Sequence, residues 1–176
     1  MTRLTQSGLE HSRDGCASKC GRMAHIQDLM SFSIRFLEIE PSDPMLAHGE
    51  LVLNGCIEKF SSCTNSWNIS DYKRQWHDGI KRIIEGRRKS CLIISRHEPG
   101  FSDFLIWWLM YRINDKIVFQ EQWLPSEKVA PLFDPARPYE YIGDWTTISD
   151  DGHKISEWWV TPSHVVDFFQ RTNWKP

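Results

Sequence analysis

Apolar and polar residues alternate along much of the chain with the period of two that is typical of strands. In the segment SFSIRFLEIE, this alternation places Phe32, Ile34 and Phe36 on one side of a first strand. The pattern changes sides directly after Phe36, which predicts a bulge there. Two short apolar runs on either side of Asn54–Gly55 predict a hairpin of strands two and three, because both turn residues tolerate positive φ.

The segment ISDYKRQWHDGIKRIIEG repeats its apolar residues at helical spacing. The predicted apolar face consists of Tyr72, Trp76, Ile80, Ile83 and Ile84. Ser70 is the predicted N-cap and Gly86 the predicted residue after the helix. Three strands are then predicted from SCLIISRH, DFLIWWLMYRI and KIVFQEQWL, and a last strand from HKISEWWV. Thr161–Pro162 supplies the start of a closing helix.

The predicted order is therefore strands, helix, strands, helix, with local hairpins. This order favours an α+β class in which two antiparallel sheets pack together with two helices. Residues 1–29 show no apolar periodicity, and we expect a disordered extension or a mis-assigned start there. Residues 30–176 are predicted to form a single domain.

The composition excludes several classes of protein. The chain has 176 residues, 40% hydrophobic and 25% charged, which is typical of a folded protein, and no apolar run approaches the ~20 residues needed to cross a bilayer. A net charge of −2 gives no general attraction to nucleic acid. Five cysteines at irregular spacings, with no signal-like apolar start, lead us to expect free thiols in the cytoplasm.

The sequence offers little catalytic or metal-binding chemistry. Four potential zinc ligands lie near the N-terminus, at His11, Cys16, Cys20 and His25. Their spacing matches no common zinc finger, so we expect neither a metal nor another cofactor. His153 and Glu157 would lie about 13 Å apart on a strand, too far to share a proton or an ion. No phosphate-binding glycine pattern, nucleophile elbow or HExxH is present, and we expect no catalytic residues and no enzyme.

Charge is unevenly distributed along the chain. Residues 97–176 hold 12 acidic and 7 basic side chains, a net charge of −5, and residues 1–96 carry a net charge of +3. The acidic half also holds more aromatic residues than one inward face can readily bury. Exposed aromatic side chains rimmed by carboxylates suit a basic protein partner. The candidate anchors are Trp123, Trp145 and Trp159, and the candidate rim charges are Glu121, Asp144, Asp150 and Asp151.

Several segments resemble a known family. They are SFSIRFLEIEP, SWNISDYKRQW, SRHEPGFSDFLIWWLMY and TTISDDGHKISEWWV followed by HVVDFF. Together they resemble the immunity proteins of contact-dependent growth inhibition systems, the CdiI family, from about Met30 to the C-terminus. The similarity is to the branch that protects against a colicin-like ribosomal-RNA nuclease toxin. The DG-x-KISEW element, from Asp151 to Trp158, is its most specific part.

This resemblance implies a Whirly-like fold of two antiparallel sheets and two helices. It also implies a non-catalytic role in the cytoplasm: the chain would bind the cognate toxin C-terminal domain, a basic RNase, so that RNA cannot be cut. Neither a membrane nor nucleic acid is expected as a direct partner. Trp76 and Trp158 are expected in the core. The alternative is a module that binds single-stranded nucleic acid, supported by the basic end of the first helix, Lys81 to Lys89, and by the Whirly-like fold.

Overall fold

A computed structural model describes residues 31–38, 43–96, 104–125 and 133–172. The predicted extension, residues 1–29, and the His/Cys group within it lie outside the described residues. The described elements are β1 (Phe32–Phe36), β2 (Leu46–Leu53), β3 (Cys56–Cys63), α1 (Ile69–Ile84), β4 (Lys89–Ser95), β5 (Phe104–Ile113), β6 (Lys116–Pro125), a 3₁₀ turn (Pro138–Tyr141), β7 (Trp158–Val160) and α2 (Pro162–Arg171). Neither described helix is long and apolar enough to cross a membrane.

The strands form two antiparallel sheets, and this confirms the predicted α+β class. One sheet has the order β1-β2-β3 and the other the order β4-β5-β6-β7. Asn54 and Gly55, with φ of 50° and 84°, turn the chain between β2 and β3 as predicted. The rings of Phe32 and Phe119 lie 5.4 Å apart and join the two sheets.

Strand register assigns each residue of the four-stranded sheet to one of two faces, because directly opposed residues share a face. The face that contains Phe119 contacts the other sheet, and we call it the inner face. Its other residues include Leu92, Trp108, Met110, Glu121, Trp123 and Trp158. The opposite, outer face includes Cys91, Leu109, Tyr111, Val118, Gln120 and Trp159.

Helix α1 begins with a capping box, two residues earlier in the sequence than predicted. The Asn68 side chain accepts hydrogen bonds from the backbone amides of Ser70 (2.8 Å) and Asp71 (3.1 Å). The Asp71 carboxylate in turn accepts one from the Asn68 amide (3.0 Å). The predicted N-cap, Ser70, is therefore wrong: it lies inside the first turn, because the reciprocal Asn68–Asp71 pair satisfies more of the free amides.

Side chains of α1 cover the outer edge of β4. Gln75 acts as a neighbouring strand would: its Oε1 accepts from the Ile93 amide (2.8 Å) and its Nε2 donates to the Cys91 carbonyl (3.0 Å). The Trp76 indole Nε1 donates to the Ile93 carbonyl (2.7 Å). This edge of the sheet is thereby satisfied and closed to further strands.

Gly79 allows α1 to approach the sheet closely, and its replacement is a direct test of this packing. A Cβ at position 79 would lie 2.3 Å from the Cys91 carbonyl oxygen. Gly79→Ala is expected to lower the free energy of unfolding by about 1 to 3 kcal/mol, because the added methyl group forces the backbone of α1 and β4 apart. This loss outweighs the higher helix propensity of alanine. Urea unfolding measures this. Gly143→Ala is the control, because its added Cβ would meet no atom of a non-neighbouring residue within 4 Å. Its free energy of unfolding should be close to that of the wild type.

Two details of the strand predictions are wrong. The bulge expected after Phe36 is absent, because the Leu37 amide donates to the His48 carbonyl (2.8 Å) and so continues the regular β1–β2 pairing. The predicted last strand, HKISEWWV, forms a strand only over Trp158–Val160, because the residues before it fold into a separate small hairpin. Of the two expected core tryptophans, Trp76 is fully buried, and Trp158 is half-buried with its ring 4.9 Å from that of Trp108.

Candidate functional site

A strap of chain, residues 142–146, crosses the outer face of the four-stranded sheet. Register places Lys89, Tyr111, Val118 and Trp159 in one row across this face. At one end of the row, Lys89 Nζ contacts the Ile142 carbonyl (3.4 Å) and the Asp144 carboxylate (2.6 Å). At the other end, the Trp145 ring packs edge-to-face on Trp159, with centroids 6.2 Å apart. The strap therefore follows the row from β4 to β7.

Glu157 and Gln120 fix the strap to the sheet. Glu157 Oε1 accepts hydrogen bonds from the Trp145 indole Nε1 (2.8 Å) and from Gln120 Nε2 (2.8 Å). The buried Gln120 amide also donates to the Thr146 carbonyl (2.7 Å). These bonds hold the Trp145 ring against Trp159 in a defined orientation, which reduces the entropy that an aromatic anchor loses on binding.

A small hairpin follows the strap and presents two carboxylates. Ile148 pairs with Lys154, and the Ser149 amide donates to the His153 carbonyl (2.8 Å). Asp150 and Asp151 lie exposed at its tip, and none of the ion pairs found among the described residues includes them. Together with the strap and β7, this hairpin forms what we call the outer patch: Trp145, Ile148, Asp150, Asp151 and Trp159. Ile148 and Trp159 are 49% and 43% exposed.

A second group lies on the inner face, where β5 begins and β6 ends. Trp123 is 56% exposed, its ring lies 5.9 Å from that of Phe104, and its indole Nε1 donates to Glu121 (3.2 Å). We call these three residues the inner patch. The structure thus pairs Trp145 with Trp159 and Glu121 with Trp123, but it places the two pairs on opposite faces of one sheet. Sequence spacing gave no indication of this separation.

Asp144 belongs to neither patch. Its side chain is 97% exposed, yet it forms a hydrogen-bonded ion pair with Lys89. The hydrogen bond and charge of Lys89 lower the pKa of the Asp144 carboxyl. Asp144 was predicted as a rim charge for a partner; in this structure, its carboxylate is already paired with a cation of its own chain.

Phe104, Ile148 and Glu157 belong to the site but were missed in the sequence. Phe104 and Ile148 sit in runs that look like ordinary strand and turn residues, and only their exposure distinguishes them. Glu157 was considered only as a partner of His153. No local pattern could indicate its bond to Gln120, which lies 37 residues away along the chain.

Two cations at the basic end of α1, Arg82 and Lys89, are engaged within the protein. Arg82 donates to the Lys89 carbonyl (3.1 Å), and its guanidinium lies 4.6 Å from the centre of the Tyr139 ring. Lys89 itself is paired with Asp144. Arg87 and Arg88 are exposed. A contiguous basic groove for a phosphate backbone would need these cations to face solvent together. Arg82 and Lys89 instead contact groups of the protein itself.

The described residues offer binding surfaces more than reactive groups. Burial raises the pKa of the Cys91 thiol, partly opposed by Arg82 and by a hydrogen bond from Gln75, so Cys91 remains protonated at neutral pH. Burial, with the nearby charge of Asp144, raises the pKa of Tyr111 to about 12. Among residues 31–38, 43–96, 104–125 and 133–172, no group of three or more His, Cys, Asp or Glu side chains is arranged to hold a metal ion.

Comparison with known proteins gives three consistent matches. The family model described as the CdiI N-terminal domain matches residues 62–168. The immunity protein CdiI of Enterobacter cloacae subsp. cloacae is 29% identical over 137 residues, which are 74% of this chain and 94% of that protein. A chain of the solved CdiA-CT/CdiI toxin and immunity complex from Enterobacter cloacae superposes with a TM-score of 0.66 at 26% identity, over 79% of this chain and 96% of that one.

Proposed function

The chain belongs to the family of CdiI N-terminal domains, and we propose that it is an immunity protein that binds and neutralises the C-terminal toxin domain of a CdiA exoprotein. The observation that carries this proposal is the match, over 96% of its length, to a chain solved within a toxin and immunity complex. Such an inhibitor acts by stoichiometric binding. It must hold at very low toxin concentration, which requires a Kd of about 1 nM or below.

We further propose that the toxin is a basic RNase and that the two proteins meet in the cytoplasm. The net charge of −5 on residues 97–176 supports a basic partner. A nuclease carries cations for RNA phosphates, and a preformed acidic surface can compete for those cations and speed association. Catalysis by the immunity protein itself has no part in this mechanism.

The outer patch is the proposed docking surface for the toxin. Trp145 and Trp159 offer two rings in mutual edge-to-face contact, of which Trp159 is 43% exposed. Large aromatic side chains with few rotatable bonds are frequent binding anchors. Asp150 and Asp151 at the hairpin tip supply charges that are not paired with any described cation. Anchors beside unpaired carboxylates are the arrangement expected for a basic partner.

The alternative, a module for single-stranded nucleic acid, is not favoured. The three matches are to a CdiI domain, a CdiI immunity protein and a chain of a toxin and immunity complex. The basic end of α1, which suggested this alternative, directs Arg82 and Lys89 to partners within the protein. The exposed Trp123 lies instead beside the Glu121 carboxylate, which repels phosphates.

Charge reversal at the hairpin tip tests the electrostatic part of the proposal. The double substitution Asp150→Lys and Asp151→Lys is expected to slow association with the cognate toxin domain about tenfold at low salt and to weaken the salt dependence. The fold should persist, because both side chains are exposed. Stopped-flow mixing at two salt concentrations measures both quantities.

The control for this experiment carries the same change in net charge elsewhere. Asp115, in the β5–β6 turn, and Asp167, on α2, are also exposed, and both are replaced by lysine. If this control slows association as much as the tip variant, the effect comes from net charge and the docking surface is not the outer patch. We leave Asp144 unchanged, because its replacement would also remove the Lys89 ion pair.

A further inference from the structure

The four-stranded sheet has one covered edge and one open edge. On the β4 side, Gln75 and Trp76 of α1 bond to the strand backbone. On the other side, β7 pairs with β6 only at Ile117–Phe119, although β6 continues to Pro125. Within the described part of the chain, no strand pairs with the outer edge of Glu121–Pro125. In an antiparallel strand, alternate residues direct their N–H and C=O groups to that edge.

The inner and outer patches flank this open edge on its two sides. Trp123 lies within the unpaired part of β6 and projects from the inner face. On the outer face, the Trp145 side chain is linked through Glu157 to Gln120, the residue directly before the open stretch Glu121–Pro125. A single partner can reach both faces of a sheet only around its edge. The open β6 edge is the position between the two patches that would allow this.

We propose that an extended segment of the toxin domain adds as a further strand along Glu121–Pro125. This inference rests on the proposed function and gives its binding mode. Backbone hydrogen bonds along the edge would supply affinity, and side chains alternating to the two faces would meet Trp123 on one side and Trp145 on the other. Basic residues of that segment would face Glu121 and the carboxylates of the outer patch.

The outer edge of β1 is a less suitable position for the same partner. It too is unpaired within the described residues. However, none of the large apolar side chains that are exposed lies on β1, and its exposed residue Arg35 is a cation already paired with Glu50 (2.7 Å), which offers a basic segment no attraction. Charge therefore favours β6, where Glu121 is exposed instead. This makes β1 an internal control in the experiment that follows.

Amide hydrogen exchange with and without toxin tests this mode directly. The full chain is mixed with the purified, catalytically inactivated C-terminal domain of the cognate CdiA protein. Alternate amides among Glu121–Leu124 should exchange at least about tenfold more slowly in the complex, and β1 amides should be unchanged. A complex that leaves Glu121–Leu124 exchanging as in the free protein would overturn strand addition, and Glu121 would then serve only to discourage edge pairing.

Proline substitutions provide a second, independent test. Glu121 and Gln122 are adjacent, so the N–H of one faces β5 and that of the other faces the open edge. Proline at the edge-facing position should keep the melting temperature and weaken binding about tenfold relative to alanine at the same position, because one donor is lost. If neither proline binds more weakly than its alanine counterpart, strand addition is wrong. If wild-type protein forms no complex, the proposed function itself fails.

Discussion

Replacing Trp76 with alanine is expected to lower the free energy of unfolding by about 3 to 5 kcal/mol, because a fully buried ring is removed and a cavity remains. Trp76 is 0% exposed. Its ring stacks on Phe36 with centroids 4.8 Å apart and packs edge-to-face on Phe60 at 5.7 Å. Its indole N–H donates to the Ile93 carbonyl. One side chain thus links the three-stranded sheet, α1 and the covered edge of β4.

Chemical unfolding of the variant measures this loss. Trp76→Phe should cost less, because it keeps an aromatic ring in the core and loses mainly the hydrogen bond to Ile93. Trp123→Ala, at a ring that is 56% exposed, is the surface control and should change stability by less than about 1 kcal/mol. An unchanged unfolding midpoint for Trp76→Ala would show that Trp76 is not the core residue described here.

Trp159→Ala is expected to weaken toxin binding about 30-fold or more, with little change in stability. A residue that anchors an interface typically contributes about 2 kcal/mol or more when truncated to alanine, and 1.4 kcal/mol is a factor of ten. Trp159 has the required position: its ring is 43% exposed and is supported from the side by Trp145. The effect should appear mainly as faster dissociation.

Ile57→Ala is the matched control for this substitution. Ile57 is an exposed apolar residue, at 58%, but it lies on β3 in the other sheet. Titration calorimetry with the cognate toxin domain should give the wild-type Kd for Ile57→Ala and a raised Kd for Trp159→Ala. Equal affinities for wild type and Trp159→Ala, with unchanged melting curves, would remove the outer patch as the docking surface.

Local patterns predicted the elements well, because their signals lie within a few residues of one another. Helix α1 follows from the spacing of Tyr72, Trp76, Ile80 and Ile83, all of which are buried. The Asn54–Gly55 turn follows from the two residue types that tolerate positive φ. The N-cap was missed by two positions, because Asn68 and Ser70 are both good capping residues and only the bond to Asp71 distinguishes them.

The arrangement of the site could not be predicted, because contacts between distant segments determine it. HKISEWWV has the composition of a strand, yet the Glu157 side chain accepts hydrogen bonds from Gln120 and Trp145. Regular strand pairing begins only at Trp158. Asp144 pairs with Lys89, which lies 55 residues earlier in the sequence. The opposite faces of Trp123 and Trp159 depend on the register between β5, β6 and β7, which a single sequence does not specify.

Calorimetric titration of the full chain with the inactivated C-terminal domain of the cognate CdiA protein tests most directly whether this chain is an immunity protein. We expect a complex of one toxin domain per chain, with a Kd of about 1 nM or below, and no heat above background with single-stranded RNA in place of the toxin. Tight binding to RNA combined with no binding to the toxin domain would contradict it.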